Sequence, residues 1–267
     1  MASASATTSS EVLEKRFAEL RRQNRKALVC YVTAGHPDAA SSELLLRGLE
    51  AAGADVIEVG VPFSDPLADG PVIQRSSQIA LGQGFGFTRT LELVQQARIS
   101  VPVVLMSYLN PVLAGGPDAL ERAATAGVHG ILITDLPVGA DDGLERWLGS
   151  GPLAFVRLVA PTTPLDRMRE IARNGRGFVY LISRLGVTGE RNSLDEELAS
   201  TVRRLRNATD LPICIGFGIS TPSQAKDAGA MADGVVVGSA IVRAAEEGGV
   251  EAAASLAAGM RLALDSI

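Results

Sequence analysis

Glu58 is a candidate proton-transfer residue because it ends an apolar run, 54–57, that is typical of a buried strand. An unpaired buried carboxylate is costly, and burial raises its pKa instead. A glutamate with a raised pKa suits proton transfer near neutral pH. The alternative is a structural acid that is paired with a buried arginine or capped by backbone amides, and the residue type alone leaves it open.

Two further acids follow Glu58 in a short loop that contains three prolines. Asp69 precedes Gly70, and the rigid residues around it allow the carboxylate to be aimed at a ligand. An Asp-Gly pair is also a common turn in which the aspartate bonds its own backbone, so a plain turn is the competing interpretation for Asp69. Asp65 precedes Pro66, which is typical of a turn, and we treat Asp65 as a candidate interface residue.

Glycine-containing turns near the carboxyl terminus predict an anion site. Gly216 and Gly218 follow the seventh predicted strand, and Gly238 and Ser239 follow the eighth and open a short helical segment. Glycines allow backbone N–H groups to approach an anion, and a helix start adds a favourable dipole. In barrel enzymes the turns after strands seven and eight frequently bind phosphate. The segment 186–189 is a possible third arm, so a phosphorylated substrate is expected.

Apolar, β-branched runs alternate with amphipathic stretches along the chain, which is the pattern of parallel strands covered on both faces. In the second run, two-residue alternation places Val56 and Glu58 on one face and Asp55, Ile57 and Val59 on the other. The predicted strands are 27–33, 54–60, 101–106, 130–134, 154–159, 177–182, 211–215 and 234–237.

Eight such units predict a single (β/α)8 TIM barrel, with an extra helix at 11–22 before the first strand. An open, doubly wound sheet is the alternative, since periodicity alone does not show that a sheet closes. Residues 1–9 are small and polar and are expected to form a disordered tail, which leaves 10–267 as the barrel domain. The other predicted helices are 42–52, 88–98, 117–126, 141–148, 165–174, 194–207, 221–228, 240–244 and 251–264.

Composition argues against several functions. The net charge is −5 and no basic run occurs, so nucleic-acid binding has no electrostatic support. No apolar run reaches the length of a membrane span. Cys30 and Cys214 lie in apolar runs without metal-like spacing, which predicts buried thiols in a reducing, cytoplasmic compartment, although a disulfide between them stays open. His36 is expected to be a solvated loop residue.

The chain resembles the tryptophan synthase alpha chain family from about residue 16 onward. The resemblance is strongest in the segment 58–71, which begins Glu-Val-Gly-Val-Pro-Phe-Ser-Asp-Pro. It extends to Tyr-Leu-Ile-Ser-Arg at 180–184 with Gly-Val-Thr-Gly at 186–189, and to Gly-Phe-Gly-Ile-Ser at 216–220. Gly-Ser-Ala-Ile-Val at 238–242, Val-Thr-Ala-Gly at 32–35 and Asp-Leu-Pro at 135–137 also match family positions.

The resemblance implies retro-aldol cleavage of indole-3-glycerol phosphate into indole and glyceraldehyde 3-phosphate, without a cofactor or metal of the chain's own. It implies that Glu58 is the acid–base residue, that Asp69 binds the indole N–H, and that Thr188 of a lid positions Asp69. Tyr180 corresponds to a residue beside the catalytic glutamate, and Tyr31 and Met106 replace Phe and Leu around the indole. The phosphate would be bound by Gly189, Gly216, Gly218, Gly238 and Ser239.

The resemblance also implies a partner, a pyridoxal-phosphate β subunit in an α2β2 assembly, contacted by the loop that contains Asp65. Leu185 replaces a small hydroxyl residue of the family's lid. Two other functions remain open from the sequence. One is a stand-alone lyase that releases free indole, and the other is a weakly catalytic subunit that activates a β partner.

Overall fold

Eight parallel strands close into a barrel in which each strand pairs with the next in sequence and β8 pairs with β1. The computed structural model describes residues 8–183, 191–216 and 218–267. The predicted closed barrel is therefore confirmed, and the open sheet is excluded. The strands are β1 (Ala27–Thr33), β2 (Val56–Gly60), β3 (Val103–Ser107), β4 (Gly130–Ile133), β5 (Ala154–Val159), β6 (Val179–Ile182), β7 (Ile213–Gly216) and β8 (Gly234–Val237).

Helices connect the strands on the outside of the barrel. Two of them, α3 (Pro71–Gly82) and α5 (Leu109–Ala114), were not predicted from the sequence, and they follow β2 and β3. The sequence signal for α3 is Pro71 in its first turn directly after Gly70, a favourable arrangement for a helix start. The helices are α1 (Ser9–Arg22), α2 (Ala39–Ala51), α3 (Pro71–Gly82), α4 (Phe87–Ala97), α5 (Leu109–Ala114), α6 (Ala119–Thr125), α7 (Asp142–Ser150), α8 (Leu165–Arg173), α9 (Arg191–Arg206), α10 (Pro222–Met231) and α11 (Ser239–Leu264).

The two faces of the strands belong to separate apolar clusters. Val56 packs in the inner cluster with residues of the other strands, whereas Ile57 and Val59 pack in the outer cluster beneath the helices. The predicted alternation along β2 is thus confirmed. Because Glu58 follows Val56 by two residues, its side chain faces the barrel interior, from the third of the five residues of β2.

Helix α1 closes the amino-terminal end of the barrel. Leu13, Phe17 and Leu20 belong to the inner cluster, and the Phe17 and Phe178 ring centroids are 5.2 Å apart. The predicted extra helix is confirmed, although it begins at Ser9 rather than at residue 11. With this end filled by side chains, the carboxyl-terminal end is the one that can hold a cavity.

A buried ion cluster fastens both terminal helices to β2. Asp55, immediately before this strand, accepts hydrogen bonds from Arg16 of α1 at 2.6 Å and from Arg261 of α11 at 2.8 Å. It also accepts the Leu28 N–H at 2.9 Å. Arg261 itself is buried. This cluster lies at the amino-terminal end of β2, before the first residue of the strand.

The remaining sequence expectations have mixed outcomes. Both cysteines are free and buried, with Cys30 in the outer cluster and Cys214 in the inner one. The prediction that His36 is solvated is wrong, since only 2% of it is exposed. Arg75 of the unpredicted α3 and Glu246 of α11 lie near its ring. Among the described residues no helix has the length and apolar character needed to cross a membrane.

Candidate active site

A cavity of about 680 Å³ lies at the carboxyl ends of the strands. It brings together most of the site residues predicted from the sequence. Asp65 and Gly216 do not line it, and Leu185, Thr188 and Gly189 lie outside the described residues. The predicted residues that do line it are Tyr31, Glu58, Asp69, Met106, Tyr180, Gly218, Gly238 and Ser239.

Glu58 is buried in the cavity, and no cation pairs with it among the residues that the structure describes. Only 1% of the residue is exposed, and its Oε1 has no hydrogen-bond partner within the described part of the chain. No ion pair of Glu58 is seen in the same residues, so the structural alternative of a Glu–Arg pair gains no support there. Burial, and secondarily the charge of Asp69, raises the pKa of Glu58 to about 8. The carboxyl group therefore carries its proton at neutral pH.

Asp69 has a different electrostatic environment. Burial raises its pKa to about 6, while a hydrogen bond from Tyr108 opposes this rise. The Tyr108 hydroxyl donates to Asp69 Oδ2 at 3.1 Å and accepts the Ala68 N–H at 2.8 Å. Gln74 of α3 donates to the Asp69 carbonyl oxygen at 2.9 Å. The carboxylate is thus held by a side chain from the turn between β3 and α5, which goes beyond a simple Asp-Gly turn.

Two tyrosines flank the acids, and each lies over a glycine of the next strand. A Cβ atom on Gly60 would be 2.1 Å from the Tyr31 hydroxyl, and one on Gly216 would be 2.3 Å from the Tyr180 hydroxyl. The absence of a side chain at Gly216 therefore has a packing cause that the sequence interpretation did not consider. Gly218 has a φ of 86° and does line the cavity, so its glycine character serves the turn itself.

A chain of hydroxyl groups fixes the orientation of Tyr31. Ser76 of α3 donates to the Ile73 carbonyl at 2.9 Å, which leaves its oxygen to accept from Thr33 at 2.6 Å. The Thr33 oxygen then accepts from the Tyr31 hydroxyl at 3.2 Å. These hydrogen bonds join β1 to α3, so the helix that was not predicted supports one wall of the cavity.

Two glycine-containing turns and one cation also line the cavity. Gly218, Gly238, Ser239 and Ala240 line it, and α11 begins at Ser239. Arg243 is the one cationic side chain among the described lining residues. Sequence reasoning missed Arg243, although it follows Ser239 by four residues, a spacing that places both on one face of a helix. Over the described ranges no cluster of three His, Cys, Asp or Glu side chains could hold a metal ion.

Comparison with known proteins identifies the family. A family profile described as tryptophan synthase alpha chain matches residues 17–263. The chain belongs to the tryptophan synthase alpha chain family. The tryptophan synthase alpha chain of Desulfatibacillum aliphaticivorans is 46% identical over 238 residues, which cover 88% of this chain and 90% of that one. That of Geobacter sulfurreducens is 46% identical over 230 residues, covering 85% and 87%.

Solved structures of this family share the architecture. Tryptophan synthase subunit alpha from Legionella pneumophila str. Paris superposes with a TM-score of 0.88 at 34% identity, covering 98% of this chain and all of that one. A tryptophan synthase chain from M. tuberculosis in an aminoacrylate-bound form gives 0.84 at 33% identity, with 94% and 98% covered. As a member of this family, the protein is a carbon–carbon lyase of tryptophan biosynthesis that acts on indole-3-glycerol phosphate.

We expect a bell-shaped pH dependence of kcat/KM for this lyase. If the ionised form of Asp69 and the protonated form of Glu58 are required, activity rises with an apparent pKa of about 6 and falls with one of about 8. The two values belong to the coupled pair, so Asp69→Asn should remove the acid limb and also lower the alkaline one. Steady-state values of kcat/KM between pH 5 and 9.5 test this pH dependence. A flat profile in that range would contradict the requirement for ionised Asp69 and protonated Glu58.

Proposed function

We propose that Glu58 is the acid–base group of the lyase reaction and that Asp69 is the carboxylate that binds the indole N–H. The observation that supports this division is the difference between two acids in one cavity. Glu58 has its pKa raised to about 8, and Asp69 has its pKa raised only to about 6. Near pH 7 one is a proton donor and the other an anion, which are the two forms that the reaction uses.

The proposed steps balance in protons. Glu58 gives its proton to C3 of the indole ring, and the ring nitrogen becomes positively charged. Asp69 stabilises that charge through the N–H group. The Glu58 carboxylate then takes the proton of the glycerol hydroxyl next to C3. The carbon–carbon bond breaks, its electrons return to the ring, and indole and glyceraldehyde 3-phosphate are released with Glu58 protonated again.

Glu58→Gln tests this proposal. The amide keeps the size of the side chain but transfers no proton, so kcat should fall about 10²–10⁴-fold while KM changes little. Glu145→Gln is the matched control, because Glu145 is also buried but pairs with Arg157 away from the cavity. Circular dichroism spectra of both variants are needed to check that each one is folded. Near-normal turnover of Glu58→Gln would refute the role of Glu58.

We further propose that the substrate phosphate is bound where the backbone of Gly218, Gly238 and Ser239 meets Arg243. Helix α11 begins at Ser239 and contributes a dipole that favours an anion. The cavity already contains two acids, so an anionic substrate needs an opposing positive charge, and Arg243 supplies one. Gly189, and Gly216 from its place beside the cavity, stay in the proposed phosphate site as predicted from the sequence.

Arg243→Gln should raise KM for indole-3-glycerol phosphate about 10-fold with kcat little changed, since a charge-assisted contact to phosphate is lost. In the reverse condensation KM for glyceraldehyde 3-phosphate should rise and KM for indole should not. Arg75→Gln is the matched control, because Arg75 pairs with Glu246 at 2.8 Å and does not line the cavity. Equal effects of the two substitutions would argue against phosphate binding by Arg243.

We propose that the partner is a pyridoxal-phosphate β subunit in an α2β2 assembly, contacted by the loop 62–74. Two features support this face. Leu67, within the loop, is 92% exposed, so a large apolar side chain is available to a partner. A groove of about 420 Å³ lined by Pro62, Phe63, Phe87 and other residues lies beside the loop. A partner on this face would receive indole directly from the cavity.

Addition of a β subunit should raise the lyase rate of this chain, and Asp65→Ala and Leu67→Ser should each weaken that activation. Leu262→Ser is the control, because Leu262 is 73% exposed on α11, outside this loop. Dose–response curves of activity against β-subunit concentration measure the effect. Full activity alone, unchanged by any β subunit, would favour the stand-alone lyase.

We also propose a cytoplasmic location, supported by two buried free cysteines, and a domain at 10–267 preceded by a tail at 1–9. The α2β2 stoichiometry is testable by the mass of the mixed complex.

A further inference from the structure

We propose that Tyr108 is a positioning residue of the lyase, whose hydroxyl group holds the Asp69 carboxylate in the orientation that binds the indole N–H. The inference rests on the role proposed for Asp69 and goes beyond it. Tyr108 caps helix α5, directly after β3, and is remote from Asp69 in sequence. No sequence motif that points to Asp69 includes it.

The hydroxyl oxygen of Tyr108 contacts two consecutive residues of the loop 62–74. It donates to Asp69 Oδ2 at 3.1 Å and accepts the Ala68 N–H at 2.8 Å. The backbone contact fixes the peptide that precedes Asp69, and the side-chain contact fixes one carboxylate oxygen. No hydrogen bond to the other oxygen, Oδ1, is seen within the described ranges, so Oδ1 can accept from a ligand while rotation of the carboxylate is restricted.

The ring of Tyr108 also contacts the beginning of the loop. Its centroid is 5.0 Å from that of Phe63, with an interplanar angle of 32°. Only 5% of Tyr108 is exposed, whereas Leu67 in the same loop is almost fully exposed. A buried ring thus connects Phe63 at the start of the loop with Ala68 and Asp69 at its end, so the loop is restrained at both ends by one side chain.

The backbone around Tyr108 is itself anchored. Asp135, which follows β4, accepts the Leu109 N–H at 2.8 Å. The Ser107 hydroxyl donates to the Tyr108 carbonyl oxygen at 2.7 Å. Asp135 begins the Asp-Leu-Pro segment of the family resemblance, for which the reaction itself provides no role. Through Leu109 it fixes the chain that supports Tyr108.

The hydrogen bond acts in the direction that the reaction needs. Burial raises the pKa of Asp69, and the hydroxyl bond lowers it because a donated hydrogen bond stabilises the ionised form. Without the hydroxyl, the pKa of Asp69 should rise above about 6, so less of the anion is present near neutral pH. A residue that only packs the core would have no such effect on ionisation.

Tyr108→Phe is the test, because phenylalanine keeps the ring contact with Phe63 and removes both hydrogen bonds. We expect the acid limb of kcat/KM to move to higher pH and kcat at pH 7 to fall about 10-fold, the scale of one hydrogen bond to a charged group. The melting temperature should change little. An unchanged acid limb and unchanged kcat in the folded variant would overturn the inference.

A double-mutant cycle with Asp69→Asn separates positioning from packing. If Tyr108 acts through Asp69, Tyr108→Phe should change kcat less than 2-fold in the Asp69→Asn background, because coupled residues are not additive. An equal loss in both backgrounds would overturn the inference while the role of Asp69 stands. Near-normal kcat of Asp69→Asn alone would instead refute the proposed function of Asp69.

Discussion

Two carboxyl groups share one buried cavity, and the unequal support they receive is the constraint on which the site depends. Burial disfavours the ionised form of both Glu58 and Asp69. The Tyr108 hydroxyl donates a hydrogen bond to Asp69. Glu58 has no cation beside it among the described residues, and the charge of Asp69 further raises its pKa. The result is one acid that keeps its proton at neutral pH and one that loses it. The surrounding tyrosines and the loop preserve this inequality.

A second buried acid lies close to Glu58 in sequence, but this one is paired with arginine side chains. Asp55, three residues before Glu58, is fully buried but is bonded by Arg16 and Arg261. Removal of either arginine would break a buried ion pair, which is strongly destabilising. The cluster therefore holds α1 and α11 at the closed end of the barrel. This ion cluster lies at the amino-terminal end of β2, whereas Glu58, for which the described residues show no ion pair, faces the cavity at the carboxyl ends of the strands, as is general for this architecture.

The sequence predicted what depends on local pattern. Alternation along 54–60 placed Glu58 on the same face as Val56, and the regular sequence of strands predicted the closed barrel. It did not predict Tyr108 or the burial of His36, because these depend on contacts between residues far apart in the chain. Arg243 had a local signal, its spacing from Ser239, that was not used. Gly216 shows a further limit, since a glycine in a turn predicts an anion site and close packing under Tyr180 equally well.

The loop 62–74 links the proposed partner face to the chemistry over a very short distance. Leu67 is exposed, the N–H of the next residue, Ala68, is donated to the Tyr108 hydroxyl, and the residue after that is Asp69. A subunit that buries Leu67 restrains the outer side of a segment whose inner side Tyr108 already fixes. Because both restraints act on the same few peptides, partner binding and the orientation of Asp69 are expected to be coupled without any rearrangement of the barrel.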